Sequence, residues 1–393
     1  LQAALGLTGE GRSQRDLEAS IGGNRLTGDI LMRPDGLFDG DLSLDAPDLA
    51  SLGALGLIEA DGRASADVRF SEDAGAQNVS IVAEATDASI AGNSIGSLEA
   101  NLSIADAFSL PLPEGKLNAT DISAGTVAIS SVTIDAQRPD DDATQVSAQA
   151  RLPIGTLIDA SAGLEQTADG FTATLSDLSI RQGDQAATLI EPSTVTLSGG
   201  DVELTPLELD LDTGRLSAQG RFGEEIALDL DLDTVPLSLA NTIRPELGLA
   251  GTLTGDATVS GSRATPDVTF DLAGEGLGTA ALSAAGLPAI AVNARGNTEA
   301  DGIVLDAEVS AEGGLSATAK GTVPLGDGDL DLAVNLDSFP LALIDPLAGR
   351  PGLTGTISGD ANVAGSLADP SAEFSLAAAG VGARILTENG IPP

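Results

Sequence analysis

The chain has 393 residues, and 18 Lys and Arg against 59 Asp and Glu give it a net charge of −41. It contains no Cys, His, Trp or Tyr. The missing thiols and imidazoles exclude disulfides, Cys or His metal sites, and Ser-His-Asp or Cys-His catalysis. The acidic charge argues against binding to nucleic acid or to an anionic bilayer surface, because both require Lys and Arg. We therefore predict a protein that is not an enzyme, has no cofactor or metal, and binds no nucleic acid.

Hydrophobic residues make up 42% of the chain and alternate with polar ones, which favours folded β-strands over disorder. Such segments recur about every 8 to 12 residues over much of the chain, which is typical of an all-β protein. No apolar run reaches the roughly 20 residues of a transmembrane helix. No basic leader is present either, so we expect a middle piece of a longer protein. In chain order, the predicted strands include 17–21, 26–32, 37–44, 79–85, 98–104, 116–122, 127–134, 145–152, 171–180, 186–190, 193–197, 201–211, 215–222, 289–294, 302–310 and 314–323.

An internal repeat relates residues 228–272 to residues 332–376. The offset is constant at 104, as from Pro236 to Pro340 (340 − 236), and 20 of the 45 aligned pairs are identical. A fixed period of this kind predicts a repeat architecture. Residues 45–55 resemble a third, degenerate copy of one part of the unit. The predicted segments are therefore a degenerate repeat at 1–110, further strands at 111–225, repeat unit A at 226–331 and a truncated repeat unit B at 332–393.

Each repeat unit begins with a strand in which aliphatic residues alternate with polar, mostly acidic ones. The alternation stops at Thr234 and Ser338, each two residues before a Pro. We predict these two residues to be N-caps of short helices with Pro in the first turn. A glycine-flanked strand follows at 251–261 and at 355–365, and then a second alternating strand.

Alternation with one apolar and one polar face indicates antiparallel sheets. A series of separate sandwiches would usually bury Trp or Tyr in each core, and this chain has neither. We therefore predict an elongated, repeating, curved antiparallel sheet, a β-groove of "taco" shape, with a self-packed sandwich core as the alternative. The residues predicted to line the groove are Leu228, Leu230, Leu232, Leu253, Val259, Phe270, Leu332, Val334, Leu336, Ile357, Val363 and Phe374.

Three acidic patterns have a possible chemical interpretation. The segment GDGDLD at 326–331 could suggest a calcium site, but calcium-binding β-helices need serial nonapeptides and this segment occurs once. We therefore interpret it as a turn. Residues 140–142, three consecutive Asp, are interpreted as a solvated loop rather than a metal site. A glycosidase-like carboxylate pair is possible by count, but the sequence singles out no two residues for it.

The second half of the chain resembles a known family. RLSAQGRF at 215–222, an alternating strand, Val-Pro-Leu at 235–237, the glycine-flanked strand and Ala-Thr-Pro at 264–266 resemble the TamB family, also called the translocation and assembly module subunit. That family is related to the AsmA-like and bridge-like lipid-transfer proteins. The second copy, from Phe-Pro-Leu at 339–341 to Ala-Asp-Pro at 368–370, resembles it more closely. The resemblance covers about residues 180–380.

The resemblance implies a periplasmic location, in a protein anchored in the inner membrane of a diderm bacterium. It implies a groove that conducts phospholipid acyl chains between the inner and outer membranes, or that supports outer-membrane protein assembly with an Omp85-type, TamA-like barrel. The family's N-terminal anchor and C-terminal domain have no counterpart in this sequence, so contacts with the barrel would lie outside it. The alternative is a secreted or surface-attached acidic β-repeat stalk or adhesin.

Overall fold

The computed structural model describes residues 2–8, 11–108, 111–125, 127–140, 143–167, 170–242, 244–299, 302–326, 328–347, 349 and 352–384. The chain divides into two units, unit 1 at Leu1–Gly199 and unit 2 at Gly200–Pro393. Most described residues of both units lie in β-strands. The predicted division into four segments stays a prediction.

Unit 1 contains β-strands and one α-helix, α1 (Leu49–Gly56). Each strand from β1 to β12 pairs antiparallel with the next one along the chain. Strand β12 then pairs with β13 through one part of its length and with β14 through another. The strands are β1 (Gln2–Thr8), β2 (Gly11–Ile21), β3 (Asn24–Met32), β4 (Phe38–Ala46), β5 (Ala60–Asp73), β6 (Ala76–Ile90), β7 (Asn93–Ala105), β8 (Leu112–Ala124), β9 (Val127–Asp140), β10 (Ala143–Arg151), β11 (Leu157–Thr167), β12 (Gly170–Gln182), β13 (Gln185–Leu189) and β14 (Ser193–Ser198).

Unit 2 contains a second series of strands, each paired antiparallel with the next. Its short helices are α2 (Ala280–Ala284) and 3-10 helices at Leu237–Thr242, Pro245–Leu247 and Leu341–Ile344. The strands are β15 (Asp201–Leu211), β16 (Gly214–Phe222), β17 (Glu225–Pro236), β18 (Ala250–Ser262), β19 (Thr265–Gly278), β20 (Ile290–Glu299), β21 (Gly302–Ala311), β22 (Leu315–Pro324), β23 (Asp329–Pro340), β24 (Leu353–Ser366) and β25 (Asp369–Ala383).

Short turns join most neighbouring strands, and their residues explain why the chain reverses there. Between β2 and β3, Gly22 and Gly23 have φ values of 58° and 91°. Positive φ at both central residues is the requirement of a tight hairpin turn whose twist matches the strands, and glycine meets it without steric cost. The predicted all-β fold of repeating antiparallel strands, with short Pro-led helices between repeats, is confirmed.

The internal repeat is a repeat of structure as well as of sequence. Strand β23 begins and ends 104 residues after β17 (329 − 225 and 340 − 236). The β17–β18 ladder shifts register between Leu232 and Val235, and the β23–β24 ladder shifts between Leu336 and Phe339, at the same offset. Both copies therefore bend at the same place in the unit.

The predicted N-caps at Thr234 and Ser338 are wrong. Strands β17 and β23 continue through Pro236 and Pro340, and the 3-10 helices begin only at the following residues. Thr234 lies in the register shift with φ of 53°, and its backbone N–H donates to the Thr254 side chain at 3.2 Å. After the register shift the ladder resumes at Val235 and Phe339 and pairs both prolines, so each Pro ends a strand instead of lying inside the first helical turn.

Of residues 140–142, which the sequence analysis interprets as a solvated loop, the structure describes Asp140 alone. Asp140 is the last residue of β9, and β10 begins at Ala143. Asp141 and Asp142 lie outside the described residues, as do Asp327 of the predicted turn at 326–331 and the chain end at 385–393.

Candidate functional site

All twelve residues predicted to line the groove lie on one face of the unit 2 strands, named here the apolar face. Directly paired residues of neighbouring strands point to the same side of a sheet. One row of pairs runs from Leu230 through Ala257 and Phe270 to Gly296. Further pairs continue that row to Leu332, by way of Leu305 and Gly321, and then to Val363. The register thus joins both repeat copies into one continuous surface.

Large and small side chains are neighbours in two places where the rows of this face contain a phenylalanine. Phe270 has Ala257 on one side and Gly296 on the other, and Phe374 of the second copy faces Ala361. A Cβ atom at Gly296 would lie 2.8 Å from two carbons of the Phe270 ring, so the ring occupies space that only a glycine leaves. A large side chain beside a small one gives a corrugated surface rather than a flat one.

None of the twelve side chains is buried. Leu228 and Leu230 are 37% and 36% exposed, Phe374 is 71% exposed, and the other nine have intermediate exposure. Within the described part of unit 2, buried apolar residues are few, and one is Leu341 of a 3-10 helix, at 8% exposure. By register, Ile226, Ala307 and Leu330 lie on the same face and are buried, at 9% exposure each, so the apolar face has both buried and exposed parts.

Unit 1 has an apolar face of the same kind, which the sequence analysis did not identify residue by residue. One row of pairs is Leu42, Val68, Ile81, Leu102 and Gly115. Alternation was the available signal, but the partner of each residue depends on turn lengths and register shifts that the sequence does not show.

Helix α1 covers a small part of the unit 1 face. Leu49 of the helix packs into a cluster with Ala46 and Ala88. The side chain of Asp48 accepts a hydrogen bond from the Ala50 N–H and so caps the helix N-terminus. Buried Asn24 exchanges two hydrogen bonds with the Asp48 backbone, at 2.6 and 3.0 Å, and holds the cap in place. A short helix therefore packs against the sheet at residues 45–55, where the sequence predicts a degenerate repeat.

The opposite, polar face carries the charges. Asp231, Asp256 and Asp271 are directly opposite one another on β17, β18 and β19. The same row continues to Arg295 and to Asp306 on β20 and β21. Like charges at directly opposite positions repel, so the first three residues of this row destabilise the pairing.

Ion pairs on the polar face shift the pKa values of two carboxyl groups. Arg295 donates to Asp306 Oδ2 at 2.8 Å and Lys320 does so at 3.2 Å. Hydrogen bonds from these two cations lower the pKa of Asp306 below its ordinary value of 3.8. In unit 1 the hydrogen bond from Lys116 lowers the pKa of Asp135 in the same way. Both carboxylates are therefore held ionised by exposed partners.

Two recesses of about 480 and 450 Å³, one within each unit, have mixed polar and apolar linings that include Leu42 and Val68 in the first and Leu204 and Ile226 in the second. The first includes Asp41, Ser43, Asp67 and Arg69 in its lining, and the second includes Glu203, Gln219 and Arg221. Within the described residues, no three acidic side chains are placed to hold a metal ion. The apolar face is the feature with the most extensive continuous binding surface in unit 2.

No family model, curated protein or solved structure matches the chain. The resemblance to the TamB family stays a prediction from the sequence. Across the part of the chain that the structure describes, we find no helix with both the length and the apolar composition needed to span a bilayer.

Proposed function

We propose that the apolar face binds phospholipid acyl chains, and that the chain is the periplasmic part of a TamB-like protein that conducts phospholipid between the inner and outer membranes. The single observation that carries the proposal is the register of unit 2. It joins the twelve aliphatic and aromatic side chains into continuous rows, and none of them is buried. Moving an acyl methylene from water to an apolar surface contributes about 0.8 kcal/mol.

The chemistry of this face favours an acyl chain that slides along it over an acyl chain bound at one fixed site. Its large side chains are Leu, Val, Ile and Phe, which lie beside one another in some rows, as in Leu228, Val259 and Val268, and beside glycine or alanine in others. An acyl chain therefore meets similar apolar contacts at successive positions, with no polar group to hold it at one of them. The acidic polar face repels anionic headgroups, which favours placing only the acyl part against the protein.

The alternative is a stalk or adhesin with self-packed cores. A self-packed core would bury side chains such as Leu230 and Phe374, whereas these are 36% and 71% exposed. The exposure favours a bound lipid over a self-packed stalk. Support for outer-membrane protein assembly with an Omp85-type barrel is a further part of the proposal, through regions outside this sequence.

An experiment that introduces the same charges on either face of the sheet tests the proposal. The variant Leu230→Asp/Val334→Asp places two carboxylates on the apolar face. Its matched control, Ala227→Asp/Ala333→Asp, adds the same charges to the same two strands on the polar face, opposite Arg221 and Lys320. The proteins are purified without detergent, and co-purified phospholipid is quantified by native mass spectrometry and lipid extraction.

We expect phospholipid in the unmodified protein and in the control, and its loss from the apolar-face variant. Desolvating a carboxylate against an acyl chain costs several kcal/mol, about as much as several methylene contacts contribute. A lipid-free unmodified protein, or equal lipid in both variants, would contradict lipid binding. Circular dichroism of the variants checks that strand content is retained.

A further inference from the structure

Helix α1 lies on a part of the unit 1 apolar face that is made of small residues. By register, Ala46 pairs with Ala64, and Ala64 pairs with Ala85, so these three residues form one row across β4, β5 and β6, named here the alanine row. All three belong to the cluster in which Leu49 of the helix is buried. Small side chains leave room above the sheet, and the Leu49 side chain occupies that room.

The alanine row continues into larger side chains beyond the helix. Ala85 pairs with Leu98, and further pairs lead through Ala119 to Val132. Leu98 and Val132 have intermediate exposure, whereas Ala46 at the other end is fully buried, at 0%. An acyl chain that followed this row from β9 towards β4 would therefore meet the helix.

Few groups hold the C-terminal part of α1 in this place. Leu49 and Leu52 are its large side chains within the cluster, and a helix of eight residues is not stable without tertiary contacts. Leu57, the C-cap residue, has φ of 53° and is 95% exposed, and Ile58 after it is 49% exposed. Such a φ is unfavourable for a leucine. Segments with backbone strain and few buried contacts open locally at low cost.

A buried amide fixes the N-terminal end of the helix. Asn24 is 2% exposed. Its Nδ2 donates to the Asp48 carbonyl oxygen at 2.6 Å, and its Oδ1 accepts from the Asp48 N–H at 3.0 Å. The Asp48 carboxylate in turn accepts from the Ala50 N–H at 3.2 Å. Movement of the helix away from the sheet would break both hydrogen bonds of Asn24, and a buried amide without partners is unfavourable.

We propose that α1 is a displaceable plug in the unit 1 apolar face, that the Asn24–Asp48 contact is its latch, and that an acyl chain entering the alanine row takes the place of Leu49. The ligand in this statement rests on the proposed function, whereas the plug and its latch rest on the packing of unit 1. An acyl chain and a leucine are both apolar, so the exchange keeps the alanines covered. The closed plug weakens acyl binding in this row by the fraction of time that the helix is closed.

Thiol labelling tests the plug and the latch without lipid. The chain contains no Cys, so a single introduced thiol reports opening at one place. Ala88→Cys lies in the α1 cluster at a position that is 8% exposed. Ala119→Cys is the matched control, because Ala119 is 2% exposed and lies outside that cluster. We expect Asn24→Ala to speed maleimide labelling about tenfold at the first thiol and to leave the second unchanged.

A second variant acts in the opposite direction. Leu57→Gly relieves the strain of the C-cap, since glycine adopts this φ freely, and it removes no buried side chain. We expect it to slow labelling of Ala88→Cys about threefold. The plug would be overturned by equal acceleration of both thiols in Asn24→Ala, by no acceleration, or by labelling that Leu57→Gly does not slow.

Hydrogen exchange with mass spectrometry tests the ligand on the unmodified chain. The probe is dihexanoylphosphatidylcholine, kept below its micelle-forming concentration. We expect the α1 amides to lose protection as the probe saturates the protein. Probe binding that leaves α1 protected would overturn the displacement and leave the proposed function standing. Absence of probe binding would overturn the proposed function together with the acyl ligand, and the two thiols would still decide whether the plug and its latch exist.

Discussion

At the scale of single residues, two equivalent positions of the repeat accept glycine and no other residue. Gly255 and Gly359 have φ values of 137° and 154°, and a Cβ at either would collide with the backbone carbonyl of the neighbouring strand, at Asp271 and Ser375. Positive φ and the close approach both select glycine. The sequence analysis predicted the strands at 251–261 and 355–365 from the glycines that flank them, and the structure adds the reason for the glycine inside each: at this φ a side chain would point into the paired strand.

The ion-paired Asp306 gives a prediction at the same scale. Its folded-state pKa is lowered from 3.8, so its stabilising contribution is fully present above that value and is lost as pH falls through the lower, folded-state pKa. We expect Asp306→Asn to reduce the free energy of unfolding at neutral pH. The difference from the unmodified protein is expected to vanish at a pH below the folded-state pKa.

Urea unfolding across that pH range measures the effect, with Asp267→Asn as a control. Asp267 lies opposite Ser260 and has no ion pair among the described residues. Equal losses in both variants would show that the partners of Asp306 do not stabilise the fold.

At the scale of elements, the short helices are stabilised by packing against the sheet rather than by their own length. The 3-10 helix Leu341–Ile344 has four residues, and helices this short are not stable alone. Leu341 is 8% exposed, and the helix contacts β24. Pro340 ends the preceding strand and has no side-chain cap hydrogen bond. The sequence predicted a Pro-led helix here, but its start was misplaced because the strand ladder continues to the proline.

We expect Leu341→Ala to lower the free energy of unfolding by about 2 kcal/mol, the small end of the range for a leucine in a core, because this core is thin. Leu347→Ala is the matched control, since that side chain is in the same segment and 61% exposed. Its effect is expected to be within about 0.5 kcal/mol. Chemical denaturation measures both, and equal effects would mean that the helix does not pack as described.

At the scale of the whole molecule, the feature that bears most on stability is the net charge. A net charge of −41 destabilises a folded chain by self-repulsion. Salt screens exposed charges, with a Debye length of about 10 Å at 0.1 M and about 3 Å at 1 M. We expect the melting temperature to rise between these salt concentrations. Asp256→Asn, which removes the middle charge of three opposed aspartates, is expected to stabilise the protein at low salt by about 0.2–1 kcal/mol.

That gain is expected to shrink at high salt, because screening removes the same repulsion. Asp267→Asn serves as the control, since Asp267 faces a serine instead of an aspartate. Differential scanning calorimetry in sodium chloride, compared with sucrose, separates screening from general solute effects. Unchanged melting across the salt series would mean that self-repulsion does not limit stability.

The sequence by itself determined the class of fold and the chemistry of its two faces. Period-two alternation is a local property, so Leu228, Leu230 and Leu232 could be assigned to one side of a strand without knowing their neighbours. The repeat at an offset of 104 could also be identified from the sequence alone, and the structure repeats at the same offset.

Only the tertiary structure decided which residues meet and how exposed they are. The pairing of Phe270 with Gly296 follows from turn lengths and from a register shift between Gly274 and Leu277. A register shift of one residue turns every following side chain to the other face of the sheet, and no local sequence pattern shows where such shifts occur.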